Sequence, residues 1–280
     1  MADRLTTDDH DRGATGMRYV YAVVSRRSGG ISVGVNLNPN RACNWRCIYC
    51  QVPGLERGAG PPIDLDRLEN ELGTLLADIQ SGDFVARRAP RSRLRDVAFS
   101  GDGEPTTSPD LIPALERVRA VFERRGLIGK VPLILITNGS RSDRPDVAHA
   151  LGLLAESKGE IWFKLDAGDD AGMEGVNSVR VKVDAHLERL RKAASICPTW
   201  IQSCFFALDG ALPDAADVDS YLDALGRVAD HPGVRGVLLY GLARPSHQPE
   251  AARLSALPES WLQELAARVQ AKGLTCRVSP

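Results

Sequence analysis

Apolar runs and amphipathic runs alternate about six times along this chain, and this alternation restricts the possible folds more than any other feature. The predicted strands are residues 31–37, 96–100, 133–136, 160–166, 199–206 and 236–240. The predicted helices are residues 64–80, 109–125, 145–157, 184–194, 217–229 and 258–271, with a terminal strand at 275–278. Strands that alternate with helices form parallel sheets with right-handed crossovers. The pattern predicts an α/β fold, a partial (βα)6 TIM-like barrel rather than a closed eight-fold barrel.

The first barrel strand is preceded by another apolar run, residues 19–25, and a Gly-rich turn joins the two. Such a pair predicts an N-terminal β-hairpin extension. The polar segment 1–16 has no apolar stretch, so we expect a disordered segment rather than a signal peptide. Residues 17–280 are expected to form a single domain, because no linker interrupts them. Residues 167–177, rich in Gly and Asp, are predicted to be a loop.

The composition is that of an ordinary soluble globular protein, with 43% hydrophobic and 25% charged residues among 280 and a net charge of −1. This near-neutral charge provides no general attraction to nucleic acid or membrane. No apolar run approaches the ~18 residues of a membrane span, so we expect a cytoplasmic chain with reduced thiols. Five arginines within residues 87–95 precede the second strand, which indicates a solvated surface opposite the site.

Cys43, Cys47 and Cys50 lie within eight residues, just after the first barrel strand, with the spacing Cys-x3-Cys-x2-Cys. Three thiolates on one tight loop can each bind one iron of a cubane cluster, which leaves the fourth iron open to a small molecule. The alternative is a zinc site. Zinc usually takes four ligands at paired spacing, and this loop has no histidine and no second cysteine pair.

Polar residues and glycines follow the second and third strands, at the edge where a barrel has its active site. In the turn Gly101-Asp102-Gly103-Glu104-Pro105, the glycines admit a ligand close to the backbone, and the carboxylates can accept hydrogen bonds from an ammonium group. Thr137 and Asn138 end the third strand, where they are candidates for contact with a ligand or for a helix cap.

Lys164 and Asp166 share one face of the fourth strand, because side chains alternate with a period of two. Charges inside a barrel are costly unless they are paired or functional, so these two residues are candidates for substrate contact or for a structural ion pair. No role is assigned to Cys197, Cys204, Cys276, Arg244 and His247. Cys197 and Cys204 are too few to hold a second cluster.

The cysteine spacing, the Gly101–Pro105 turn about fifty residues later and the stretch Ile136-Thr137-Asn138-Gly139-Ser140 resemble the radical S-adenosylmethionine (SAM) superfamily. The resemblance covers roughly residues 31–245. It implies a [4Fe–4S] cluster on the three loop cysteines, with the amino and carboxylate groups of SAM on the open iron. It also implies reductive cleavage of SAM to methionine and a 5′-deoxyadenosyl radical, which removes hydrogen from a substrate.

The same resemblance implies roles for residues around SAM. Tyr49 would lie against the adenine, and the Gly101–Glu104 turn would bind the amino group, although Asp102 replaces a glycine of the common form. Thr137 and Asn138 would contact the carboxylate or ribose. The stretch Leu165-Asp166-Ala167 matches a Leu-Asp-Ala stretch of wyosine-synthesis relatives, which makes Asp166 and its neighbour Lys164 candidates for contact with the substrate or with the ribose of SAM.

The motifs resemble a branch that contains wyosine-type tRNA-modifying enzymes and Fe–S oxidoreductases of unassigned function. No cysteine precedes Cys43, whereas enzymes that condense tRNA with pyruvate have additional N-terminal cysteines. The substrate is therefore expected to be a tRNA nucleoside, a peptide or protein (as in glycyl-radical activation) or a metabolite. A tRNA substrate requires a basic rim, with Arg41, Arg46, Arg57, Arg141 and Arg144 as candidates.

The expected electron donor is a flavodoxin or ferredoxin. A function of another class, a non-catalytic Fe–S scaffold or redox sensor, would need the cluster but no SAM turnover, and the Gly101–Pro105 turn argues against it.

Overall fold

The computed structural model describes residues 4–6 and 15–280 and contains one main sheet of eight strands in sequential order. The strands are β1 (Val20–Ser25), β2 (Gly30–Val35), β3 (Leu94–Phe99), β4 (Leu133–Thr137), β5 (Glu160–Lys164), β6 (Thr199–Cys204), β7 (Val234–Tyr240) and β8 (Cys276–Ser279). β1 and β2 pair antiparallel, and every later neighbour pairs in parallel. The predicted partial barrel with an N-terminal hairpin is confirmed.

Helices connect these strands, and most of them pack on the outer face of the sheet. The helices are α1 (Leu65–Ser81), α2 (Asp83–Arg88), α3 (Leu111–Arg125), α4 (Pro145–Glu156), α5 (Asp170–Asn177), α6 (Val183–Ile196), α7 (Ala215–Gly226) and α8 (Glu259–Ala271). α1 begins after Asp64, whose carboxylate accepts a hydrogen bond from the Arg67 N–H at 2.9 Å, as expected of an N-cap. No helix in the described part of the chain is long and apolar enough to cross a membrane.

The prediction of a loop at residues 167–177 is wrong, because α5 occupies most of it. The Asp169 carboxylate accepts a hydrogen bond from the Gly172 N–H at 2.7 Å and caps the helix, and Met173 is fully buried beneath it. Capping and burial therefore outweigh the low helix propensity of the glycines. The prediction of disorder for residues 1–16 lies mostly outside the described residues, and the single domain at 17–280 stays a prediction.

The alternating side chains of the strands separate an outer core from the barrel interior. Odd-numbered residues such as Phe99, Leu135 and Phe163 belong to the main core beneath the helices. From β3 to β7, even-numbered residues such as Trp162 and Leu238 point inward, and a small separate cluster fills the floor of the barrel. This cluster consists of Ala98, Ile134, Trp162, Trp200 and Leu238. Polar residues further along the strands therefore face the open mouth.

Candidate active site

A cavity of about 270 Å³ lies between the cysteine loop and the C-terminal ends of the strands. Of the residues predicted from the sequence to form the site, those that line this cavity are Cys43, Cys47, Cys50, Tyr49, Gly101, Gly103, Glu104, Thr137, Asn138 and Lys164. Asp102 and Asp166 do not line it. The fold thus brings together residues that are more than 100 positions apart in the sequence.

The cysteine loop is fixed at both ends by backbone hydrogen bonds. Ala42 and Cys43 pair in parallel with Glu56 and Arg57, and the Ile48 N–H donates to the carbonyl oxygen of Val176 at 2.9 Å. Burial raises the pKa of the Cys43 thiol to about 12 and that of Cys47 to about 11. Both thiols are therefore protonated near neutral pH until a metal displaces the proton.

The three cysteines form no disulfide with any residue in the described part of the chain, and they are partly exposed and line one cavity. Within residues 4–6 and 15–280, no three His, Cys, Asp or Glu side chains converge on a point suited to a single metal ion. A cubane cluster makes a different demand, because its cysteines bind three separate irons. The Asn177 Nδ2 donates to Cys47 Sγ at 3.2 Å and the Trp45 N–H to Cys43 Sγ at 3.5 Å, as donors around a cluster do. The loop therefore fits a [4Fe–4S] cluster.

The loop after β7 holds the cysteine loop in place. Ser246 Oγ lies 2.7 Å from the carbonyl oxygen of Ile48, and Gln248 Nε2 donates to that of Val52 at 3.1 Å. Arg244 lines the cavity and donates to Gln51 Oε1 at 2.6 Å, whereas the side chain of His247 is exposed. Ser246 and Gln248 could not be identified from the sequence, because no local pattern distinguishes a buried polar loop residue from an exposed one.

The turn after β3 packs directly against the backbone that leads into the cysteine loop. Gly101 has φ +144°, and a Cβ there would lie 2.5 Å from Asn36 Oδ1, so a side chain does not fit. Asn36 Nδ2 donates to Asp102 Oδ2 at 2.6 Å, and Asn36 Oδ1 accepts from the Asp102 N–H at 3.2 Å. Asn36 thus accommodates the aspartate that replaces the glycine of the common motif, and contact between Asp102 and SAM stays a prediction.

The carboxylate of Glu104 joins this turn to the end of β4. It is buried and accepts hydrogen bonds from Thr137 Oγ1, Thr106 Oγ1 and the Asn138 N–H, each at 2.6 Å. Burial raises its pKa despite these donors. The Asn138 side chain continues the network, because its Nδ2 donates to Asn44 Oδ1 at 2.8 Å. Thr137 and Asn138 therefore support the turn, and their contact with SAM stays a prediction.

Lys164 and Asp166 belong to a second buried network. Lys164 Nζ donates to Tyr49 Oη at 2.5 Å and to Tyr240 Oη at 3.0 Å, and it lies 4.0 Å from Asp166 Oδ2. Tyr49 Oη donates to the same carboxylate oxygen at 2.6 Å. Burial opposes the charge of Lys164, but Asp166 and Tyr240 raise its pKa above the ordinary value. Lys164 is therefore a cation on the wall of the cavity.

Tyr49 has contacts within the protein besides offering a ring against which adenine could stack. Its hydroxyl is engaged in this network, its ring lies 5.7 Å from that of Phe206, and Lys164 Nζ lies 4.8 Å from the ring centroid. Contact of Tyr49 with adenine stays a prediction. Cys204 packs beside Tyr49 inside the barrel, whereas Cys197 belongs to the core beneath the helices. The two cysteines lie on opposite sides of the sheet.

Curated relatives match part of this chain over part of their own length. A UPF0026 protein of Helicobacter pylori is 28% identical over 159 residues, 56% of this chain and 46% of that protein. A UPF0026 protein of Methanocaldococcus jannaschii is 26% identical over 161 residues, 58% of this chain and 44% of that protein. The chain therefore spans about half the length of the curated relatives it matches.

Solved structures share the fold. A radical SAM methyltransferase from Sphaerobacter thermophilus has a TM-score of 0.57 at 15% identity and covers 89% of this chain and 66% of its own. Streptococcus suis SuiB bound to S-adenosylmethionine has a TM-score of 0.58 at 14% identity, with 88% and 50% covered. The family model of the radical SAM superfamily, whose members use a [4Fe–4S] cluster and SAM, matches residues 37–208. This match covers more than half of the chain, so the protein belongs to the radical SAM superfamily.

Proposed function

We propose that this protein is an enzyme that holds one [4Fe–4S] cluster on Cys43, Cys47 and Cys50 and binds SAM beside it. The cluster and SAM, when bound, supply reductive cleavage to methionine and a 5′-deoxyadenosyl radical that abstracts hydrogen from a substrate. The observation that carries the proposal is that the three thiols line one cavity together with Gly101, Gly103 and Glu104 of the turn after β3. An iron atom that binds SAM must lie close to both the thiols and this turn.

The chain itself contributes position and shielding. Glu104 holds the turn to the end of β4 through Thr137 and Asn138, so the walls of the proposed SAM site are fixed relative to each other. Trp45 and Ile48 are buried on the cysteine loop and keep water from its protein side. Lys164 faces the cavity and is the group that we assign to substrate contact.

Three of the five candidate rim arginines are engaged within the chain, which favours a small substrate over tRNA. Among the five candidate rim arginines, Arg46 pairs with Glu250 at 2.8 Å and Arg144 with Asp146 at 3.3 Å. Arg57 donates to the carbonyl oxygen of Asn44 at 3.1 Å. Arginines already engaged within the chain contribute less to phosphate binding. Members of the family need an electron donor, and we propose a flavodoxin or ferredoxin for this chain.

Anaerobic reconstitution with iron, sulfide, SAM and dithionite tests the proposal. We expect about four irons per chain, as a cubane cluster requires, together with 5′-deoxyadenosine. Cys47→Ala should lose both, whereas the control Cys276→Ala removes a half-buried thiol outside the cavity and should keep both. Iron without SAM cleavage in the unsubstituted chain would indicate a scaffold or redox sensor. Full iron and cleavage in Cys47→Ala would show that the assigned ligands are wrong.

A further inference from the structure

The inner wall of the barrel has a buried donor that the proposed SAM chemistry does not use. Gln202 is 1% exposed and lines the cavity, and its Nε2 has no hydrogen-bond partner among the described residues. Gln202 is the strand partner of Lys164 across β5 and β6, so both side chains point inward at the same height. A buried amide without an acceptor destabilises the folded chain unless a ligand supplies one.

Two cations face the same space. The ammonium of Lys164 uses two of its three protons on Tyr49 and Tyr240, which leaves one to donate. Arg27, in the turn between β1 and β2, lines the cavity with its guanidinium over the rings of Tyr240 at 5.1 Å and Trp162 at 5.6 Å. Within the described part of the chain, Arg27 forms no ion pair.

The balance of donors and acceptors on this wall indicates the chemistry of its ligand. Asp96 also lines the cavity; its Oδ1 accepts a hydrogen bond from Ser32 Oγ at 2.5 Å, and its Oδ2 has no partner among the described residues. The guanidinium of Arg27, the ammonium of Lys164 and the amide N–H of Gln202 outnumber this one open carboxylate oxygen above the apolar floor that contains Trp162. Carboxylates and phosphates are the groups that satisfy such a set of donors.

We propose that the substrate is a low-molecular-weight anion whose carboxylate or phosphate is held by Arg27, Lys164 and Gln202. This inference rests on the proposed function, because it assigns the substrate class of the same cavity. The carbon skeleton of the substrate lies on the floor beside Trp162, and the anionic group fixes its orientation. Gln202 and Arg27 are then residues that determine specificity.

Calorimetric titration of the anaerobically reconstituted chain with SAM present tests the inference. The probes are inorganic phosphate, succinate and uncharged succinamide. We expect at least one anion to bind and succinamide not to bind, and the anion that binds distinguishes a phosphate from a carboxylate substrate. Arg27→Gln should weaken that binding roughly tenfold or more, the effect of losing a charge-assisted contact. The matched control is Arg277→Gln, whose guanidinium lies 4.1 Å from the ring centroid of Trp200 but does not line the cavity.

Gln202→Leu provides a second, independent variant. Removing an unpartnered amide should raise Tm without ligand, and if Gln202 also binds the anion, affinity should fall roughly tenfold. A higher Tm with unchanged affinity would assign Gln202 to the fold alone. Failure of both anions to bind, binding of succinamide equal to succinate, or unchanged affinity in Arg27→Gln would overturn the inference.

Iron content and 5′-deoxyadenosine are measured in the same samples, so the two proposals fail separately. Absence of anion binding in samples that hold iron and cleave SAM rejects the substrate class alone. Absence of iron or of SAM cleavage rejects the proposed function. Calorimetry records anion binding whether or not the sample holds iron or cleaves SAM.

Discussion

Replacing Gly103 with alanine should displace the cysteine loop, because this glycine lies directly against its backbone. A Cβ on Gly103 would lie 2.0 Å from the carbonyl oxygen of Ala42 and 2.9 Å from the Cβ of Asn38. A carbon and a carbonyl oxygen normally approach no closer than about 3.3 Å, so the backbone at Ala42 must retreat by more than ~1 Å. Cys43 is the next residue and moves with it.

The cost of this displacement should be large for a single methyl group. Inserting a methyl into a packed site typically costs about 1–3 kcal/mol. Ala42 has little freedom to relax, because its carbonyl oxygen accepts a hydrogen bond from Asn38 Nδ2 at 2.9 Å and its backbone pairs with Glu56. We therefore expect the upper end of that range, about 3 kcal/mol, which corresponds to a Tm lower by about 5 °C in a chain of this size.

Calorimetric unfolding of the anaerobic protein measures the Tm, and iron analysis after reconstitution measures the effect on the cluster. Gly103→Ala should lose most of its iron as well as stability. The control is Gly73→Ala in α1, where a Cβ meets nothing within 4 Å and should stabilise the helix by about 0.5–1 kcal/mol. Wild-type Tm and iron content in Gly103→Ala would refute the direct contact between the turn and the cysteine loop.

Two further predictions concern buried ionisable groups. Glu104→Gln should lower the free energy of unfolding by about 1–3 kcal/mol. One carboxylate oxygen accepts from the hydroxyls of Thr106 and Thr137 and the other from the Asn138 N–H, so the amide NH2 of glutamine must face donors on one side or the other. Denaturant titration beside the exposed control Glu116→Gln measures the loss, and equal losses in the two variants would contradict the prediction. Burial lowers the pKa of His186 from 6.5 to about 4, so the unfolded chain binds the proton first as pH falls. The stability from the neutral imidazole is complete above pH 6.5 and is lost by about 1.4 kcal/mol per pH unit down to pH 4. The stability difference between wild type and His186→Phe should follow that slope, and a pH-independent difference would exclude a buried neutral imidazole.

Local patterns were sufficient for the fold and for much of the candidate site. The period of each strand and helix is encoded in neighbouring residues, so the barrel strands and the Asp64 cap were predictable. The cysteine spacing and the Gly101–Pro105 turn are contiguous motifs, and the fold directs both to one cavity. Parallel strands bring their carboxyl ends together, which is why motifs far apart in sequence could be assigned to one site.

The contacts that support the site were not predictable, because they depend on exact tertiary position. Ser246 lies 198 residues from Ile48, whose carbonyl oxygen it contacts. Asn177 ends a helix where a loop was predicted, so its hydrogen bond to Cys47 could not be anticipated. Gln202 has the expected inward direction, but only the assembled barrel shows that its amide lacks a partner among the described residues.

Lys164 and Asp166 have different environments in the structure, which the sequence alone did not distinguish. The side chain of Asp166 is fully buried and does not line the cavity, whereas that of Lys164 is 18% exposed and does. Asp166 accepts hydrogen bonds from Tyr49 Oη at 2.6 Å, Asn177 Nδ2 at 2.7 Å and the Cys204 N–H at 2.9 Å. These donors come from the cysteine loop, α5 and β6. A carboxylate surrounded in this way has no route to a substrate. We therefore infer that Asp166 positions the cysteine loop and keeps Lys164 charged, and that of these two residues only Lys164 contacts the substrate.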